Sequence, residues 1–464
     1  MNKKTKLLSS PAKRWRWVYG PIVLASLAVL GFLYAKSESI FLGAEAYIYG
    51  YPLVIMDLTR AQAALSIGPE NELRRVRKFP DASFKDVVRP NVDTLYTTAF
   101  IDMAQGPWVF EMAPNTQRYE VMPFMDAWTN VYAAPGTRVA GTAGGKYLLV
   151  GPRWAGATPV GLTLFRSPTQ MAWLIGRTQT NAAADYPLVH QLQDGLQLRH
   201  LTDWQAGVLK APKPWQATQA QLTPPSVQMK ALSTTEFFAR LAALMVSNPP
   251  SAADGPMMAK LRRLGLTPGQ TPHWTVADRW SLGLGRWIAD RKVSQELSQA
   301  KNLIRGWSTP PAVLGNYGTS YNIRAVVAMV GLGANLPEDA MYPSTRVDRT
   351  GEPLNGRHRY RLHFAAHELP PVHAFWSVTA YGADDFLIEN TSQRFAIGDR
   401  DALTYNPDGS LDLWIQSTSP AGASASNWLP VKDGEPFLLN ARLYYPKAAA
   451  LTATWGMPGV ERMD

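Results

Sequence analysis

TLYTTAFIDM, residues 94–103, opens the series of short apolar runs that decides the fold. WVFEM (108–112), RYEVMPFM (118–125), KYLLVG (146–151) and GLTLFR (161–166) follow it. The runs are rich in β-branched and aromatic residues, and Gly, Pro or Asn separates them. That is the chemistry of short strands in a sandwich or barrel. The pattern returns near the C-terminus. Tyr360, Leu362, Phe364 and Ala366 alternate with Arg361, His363 and Ala365, and FWSVTAYG (375–382), DDFLIEN (384–390), the turn NPDGS (406–410), LDLWIQS (411–417) and FLLNARLYY (437–445) complete a second set. Asn355-Gly356, just before that set, is a strong signal for a tight hairpin.

Helical patterning lies between and before the two β sets. Tyr47, Tyr51, Val54, Ile55 and Leu58 share one face of a helix expected over 44–64. Asn71–Pro80 reads as a loop. Pro187–Asp194 is a short helix with Gly195 as its stop. Ser233 and Glu236 form a capping box before the apolar run to Val246. A long helix is expected over 276–304, where Trp280, Leu284, Trp287 and Ile288 recur at helical spacing. Residues 206–232, rich in Pro, Gln and Lys, read as a surface linker, and 320–330 as a further helix.

The N-terminus supplies an address. WVYGPIVLASLAVLGFLYA, residues 17–35, carries no charge. As a helix it would reach about 28 Å, close to the hydrocarbon thickness of a bilayer. Lys3, Lys4, Lys6, Lys13, Arg14 and Arg16 precede it with no acidic residue among them. The positive-inside rule keeps this leader cytoplasmic and sends the body across. A cleaved signal peptide is the competing reading. The run is long for one, Leu33-Tyr34-Ala35 lacks the small residue a cleavage site needs, and Trp17 and Tyr34 sit where an aromatic belt would place them. The expectation is an uncleaved single-pass anchor in the inner membrane, with the lipid bilayer as partner through 17–35 and the body facing the periplasm.

The net charge of +10 belongs to that leader. Without residues 1–36 the body has 39 basic and 36 acidic residues, so it offers no electrostatic footprint for nucleic acid. The absence of cysteine excludes disulfides, thiolate metal sites and a Cys nucleophile. The body is long enough for two or three domains. The expected fold class is α+β: a basic leader (1–16), a transmembrane helix (17–35), a β-rich N-terminal α+β unit (36–205), a linker and helical segment (206–310) and a C-terminal β-sandwich (311–464).

Familiar catalytic motifs fail on inspection. Residues 140–147 suggest a P-loop, but Tyr147 stands where Ser or Thr must hold magnesium. His367-Glu368 opens like a zinc-protease motif, but Pro371 replaces the second His. No G-x-S-x-G elbow is present. Gly283-Leu284-Gly285 lacks the third glycine of a dinucleotide loop. His363, His367 and His373 are spread along an extended segment, so no metal and no cofactor is expected.

Two dense stretches remain, both mixing Arg and Asn with Tyr or Trp. Arg89, Asn91, Asp93, Tyr96, Arg118, Tyr119, Asp126 and Arg138 make the first. Arg324, Trp376, Asn390, Arg394 and Trp428 anchor the second. RPNVDTLYTTAFIDMAQGPW (89–108), LPPVHAFWSVTAYGADDFLIENTSQRFAIGDRD (369–401), NWLP (427–430) and FLLNARLYYP (437–446) resemble a bacterial family built from two domains of unknown function, DUF1254 and DUF1214. The resemblance spans about residues 40–460. It implies an N-terminal α+β unit and a C-terminal jelly-roll-like sandwich, and carries no catalytic assignment.

Two functional readings follow. In the first, residues of both stretches line an inter-domain pocket for a small acidic or hydroxylated molecule. Arg side chains would hold the acid, Trp and Tyr would stack on it, and Asp93 would be the general base. In the second, the same residues close turns, pair within corners and fill cores, and the protein is a non-enzymatic envelope scaffold. Both are compatible with a homo-oligomer.

Overall fold

The structure, a computed structural model, describes residues 11–464 apart from 86–87, 116–117, 213–214, 219–221, 299–302 and 310; side chains are described from residue 21 onward, except at 294, 296–298 and 423. Residues 1–10 of the basic leader, and the side chains of Lys13, Arg14, Arg16 and Trp17, lie outside the described set.

The apolar run and the helix expected at 44–64 are one element. Helix α1 runs Pro11–Ser66 without a break. Its two halves live in different surroundings. Ile22, Leu24, Leu27, Val29 and Leu30 are exposed, whereas Tyr49, Leu53, Val54 and Met56 are fully buried. Among the described residues α1 is the one helix long and apolar enough to cross a membrane.

Strands β1 (Thr94–Asp102), β2 (Trp108–Met112), β3 (Phe124–Asp126), β4 (Gly145–Val150) and β5 (Met171–Gln179) build the N-terminal sandwich. β1, β5 and β3 run side by side in one antiparallel sheet, and β2 and β4 are central in a second. Ala99, Ile101, Phe110, Phe124, Tyr147, Leu149 and Leu174 fill the space between them. Alternate residues of the first sheet, including Phe100, Met125 and Met171, face the other way and pack on α1. Both faces of that sheet are therefore apolar, which suits a sheet covered on both sides.

The middle is helical, as its patterning predicts. Helix α2 (Thr234–Ser247) begins with the expected capping box between Ser233 and Glu236. Helix α3 is described over Val276–Ser298, and Leu303–Ile304, at the end of the span expected to be helical, is a short strand. The expected linker holds a short helix, Pro225–Ala231. Helix α4 (Tyr321–Val330) follows, and all three lie against the buried half of α1.

Strands β6 (Tyr360–Phe364), β7 (Val372–Gly382), β8 (Leu411–Gln416) and β9 (Phe437–Pro446) form the second sandwich. β7 and β9 pair antiparallel in a seven-stranded sheet, and β6 and β8 pair in a four-stranded one. Asn355-Gly356 does not close a hairpin. The strand at Ser344–Thr345 pairs with β9 and β6 pairs with β8, so the two flanks of the turn enter different sheets. Gly356 is needed for close approach instead: a Cβ there would lie 2.0 Å from the Lys432 carbonyl oxygen.

Candidate functional site

The two sandwiches meet along one face of β7 and β9, and strand periodicity decides which residues go there. Trp376, Val378 and Ala380 on β7 point into the sandwich core with Leu439, Ala441 and Leu443 of β9. The intervening residues point the other way. Phe375, Ser377, Thr379 and Tyr381 share that face with Asn440, Arg442 and Tyr444 through the pairs Phe375–Tyr444, Ser377–Arg442 and Thr379–Asn440. This polar and aromatic face receives the segment leading into β1.

Asp93 is the hub. Its side chain has no exposed surface. Ser377 donates to Oδ2 at 2.6 Å and Tyr444 to the same oxygen at 3.2 Å. Arg400 pairs with Oδ1, and also donates to the Asp93 and Thr180 carbonyl oxygens at 3.2 and 2.8 Å. Both carboxylate oxygens are thus engaged, each from across the seam. Asn91 sets the local turn. Its Oδ1 accepts the Asp93 and Thr94 N–H groups, and its Nδ2 donates to the Tyr444 hydroxyl at 2.9 Å. Burial first, and then the Asp93 charge, push the Tyr444 hydroxyl well above its usual range and keep it a donor.

Neighbouring groups extend the seam. Arg89 donates to Asp385 at 2.8 Å, and its carbonyl accepts from Arg442. Arg442 also reaches the Thr379 and Tyr381 hydroxyls at 2.7 and 2.6 Å, and Tyr381 donates to the Pro90 carbonyl. Arg177 on β5 is stacked 5.1 Å over Tyr96 and bonds Asn335 and the Gly333 carbonyl. Arg138 grips Asp339 with two bonds of 2.7 and 2.9 Å, and Tyr119 donates to the Asp339 carbonyl. At the rim, Asp399 accepts the Trp376 N–H, and desolvation of its carboxyl pushes it up to about 6.

Sequence reasoning selected Arg89, Asn91, Asp93, Tyr96, Tyr119 and Arg138, and these lie along or beside the seam. The other candidates lie elsewhere. Arg118 pairs with Asp185 and the Gln179 carbonyl inside its own unit. Trp376 packs on Phe364 in the sandwich core. Asn390 bonds the Ile388 and Arg394 carbonyls within its loop, Arg394 reaches the Ser426 carbonyl, and the Trp428 indole donates to Gln416 O. Sequence reasoning misses Arg177, Ser377, Arg400, Arg442 and Tyr444. The available signal was the two-residue period of FWSVTAY and LLNARLYY, which separates the seam face from the core face.

Arg324 belongs to a different place. It sits on α4, 2% exposed, inside a box of aromatic rings. Its guanidinium lies 5.4 Å from the Tyr49 ring centre and 5.2 Å from those of Trp128 and Tyr321. Its Nε and Nη2 make no hydrogen bond. Tyr49 and Tyr321 both donate to Asp254 beside it, at 3.1 and 2.8 Å. Asp126 is also near. Burial pushes its carboxyl up to about 6, against the pull of Asn130 hydrogen bonds and of Arg324.

Residues 70–200 match the family described as Protein of unknown function (DUF1254), and residues 339–448 match Protein of unknown function (DUF1214). A fold of two sheet-rich units around a helical middle, with the family segments on either side of the seam, is that of a two-domain protein. The chain belongs to this two-domain family of unknown function. It is similar to the solved VPA0106 protein from Vibrio parahaemolyticus, with 24% identity, a TM-score of 0.68, and coverage of 92% of this chain and 100% of that one. A putative uncharacterized protein from Burkholderia cenocepacia aligns at 12% identity and a TM-score of 0.43, over 95% of this chain and 97% of that one. The first likeness is one of fold. A search of curated proteins finds no match.

Proposed function

We propose that the chain is an inner-membrane-anchored envelope protein whose body faces the periplasm and acts as a braced, non-enzymatic scaffold or interaction platform. The engagement of Asp93 carries this reading. A general base needs a free lone pair within reach of substrate. Asp93 is sealed from solvent and already holds Arg400, Ser377 and Tyr444. It serves better as a bolt between the two units than as a base. The uncharged run of α1 and its exposed apolar side chains support the anchor.

Two measurements test this reading. A reporter fused after Asp464 should be active outside the cytoplasm only; activity inside would overturn the topology. Mass spectrometry should find the mature chain starting at Met1 or Asn2, and a start near Lys36 would mean a cleaved signal.

A second reading, binding of a small acidic molecule, draws support from Arg324. Its two unmet donors are groups that a carboxylate would satisfy. Isothermal titration with small mono- and dicarboxylates, comparing wild type with Arg324→Met, tests it. Heat that vanishes in the variant would support a ligand site. No heat with either protein would remove it.

A further inference from the structure

We propose that the cleft between α1 and the first turns of α3 seats a bilayer phospholipid, with its phosphate beside Arg279 and its acyl chain running down past Val276 and Phe32 along the anchor. The inference rests on the anchored reading above and adds a lipid site built partly from the body.

The two helices run side by side in the same direction. Lys36 pairs with Asp278 at 2.7 Å, and Gly43 lies against Leu282. Further up, Gly285 approaches the α1 backbone so closely that a Cβ would lie 2.4 Å from the Ile40 carbonyl oxygen. α3 is therefore fixed to α1 with its N-terminus aimed down the anchor. Its first turn lies level with Lys36, the first charge after the apolar run, which is where hydrocarbon gives way to headgroups. Thr275 and Asp278 cap that turn with reciprocal bonds, and Lys36 first, then Thr275, hold the Asp278 carboxyl down at about 2.

The cleft has a volume of about 700 Å³ and is lined by Phe32, Val276, Arg279, Trp280, Gly283 and Leu284. The walls are apolar apart from one cation. Trp280 is 72% exposed and Val276 61%. A soluble surface seldom leaves a tryptophan so bare beside other apolar groups. Tryptophan at the level of the headgroups is an interfacial anchor. Tyr34 and Phe41, also exposed, stand on α1 just below and above that level. The face is continuous with the exposed side chains of the spanning run, so the occupant is lipid.

The absence of native cysteine makes the test direct. Full-length protein carrying Trp280→Cys, and separately Leu24→Cys, is spin-labelled and placed in nanodiscs of phosphatidylcholine and phosphatidylglycerol. Both labels should collide with oxygen more than with a water-soluble nickel chelate. Leu24 in lipid with position 280 in water would overturn the inference and leave the anchor standing. Leu24 in water would overturn the anchor and the inference together. A label at 280 shielded from both probes would mean that a second copy covers the cleft, and would also overturn it. Native mass spectrometry from mild detergent should show one retained phospholipid. Gly283→Leu fills the cleft, where a Cβ would meet only the Thr234 hydroxyl at 3.8 Å. It should lower the lipid-bound fraction about tenfold, because the added side chain takes the outer end of the cleft, where the headgroup sits. Arg279→Gln, on the exposed rim, should lower it without altering the fold, and equal retention in all three proteins would overturn the site.

Discussion

Arg442 and Arg324 are buried to the same degree, 3% and 2% exposed, and their surroundings could hardly differ more. Arg442 lies in the seam and spends its donors on the Thr379 and Tyr381 hydroxyls and the Arg89 carbonyl, with Asp93 nearby. Arg324 lies in the helical layer and faces three aromatic rings, with Nε and Nη2 unmet. A buried guanidinium can be stabilised by direct hydrogen bonds, as Arg442 is, or by ring quadrupoles with carboxylates at longer range, as Arg324 is. The first solution ties two units together. The second leaves two donors unused, and those donors are the support for a bound acid at Arg324.

The largest break in this comparison should come from Asp93→Asn. It keeps one acceptor oxygen and removes the charge that Arg400 meets. A broken buried pair typically costs ~3–5 kcal/mol, read here by denaturant unfolding with tryptophan fluorescence. Unchanged stability would show that the seam does not brace the body. Arg442→Met should come next, with a loss of about 3 kcal/mol, because the Tyr381 and Thr379 hydroxyls and the Arg89 carbonyl lose a charged donor at once.

Glu120 sharpens the contrast from the acidic side. It is 5% exposed, and burial pushes its carboxyl up to about 7 against the Asn115 hydrogen bond. A carboxylate can escape uncompensated burial by taking a proton, whereas a guanidinium cannot. Folded Glu120 binds its proton more tightly than unfolded Glu120, so its contribution is fully present below about pH 4 and is lost as pH rises through about 7. Asp126 acts in the same direction with its midpoint near 6. The wild-type melting temperature should fall between pH 5 and pH 8. Glu120→Gln should flatten that slope and add about 2 kcal/mol of stability at pH 8, part of what a shift of this size is worth.

Arg324→Met should have the smallest effect, within about 1 kcal/mol, because removing a poorly met buried cation returns its desolvation cost. It should also raise the Asp126 carboxyl above about 6, measured by NMR titration, since Arg324 now holds that group down. A loss as large as that of Arg442→Met would erase the distinction between the two sites.

The sequence by itself determined the local order. The uncharged run at 17–35, the capping box at Ser233, and the two sets of short alternating runs each carry their own structure, because propensity, caps and burial period act over a few residues. The family segments were legible for the same reason: they are contiguous. Tertiary structure alone decided that α1 runs unbroken through the apolar run into the buried helix, since no local signal joins the two segments read at 17–35 and 44–64. It also decided where each arginine goes. Trp376 and Ser377 are neighbours in sequence, yet one fills the sandwich core and the other bonds Asp93 from across the seam. Asp93 and Arg400, its partner, are 307 residues apart. A pairing at that separation is set by how β7 and β9 dock on the N-terminal sheet, and docking is a property of whole surfaces rather than of any stretch of chain.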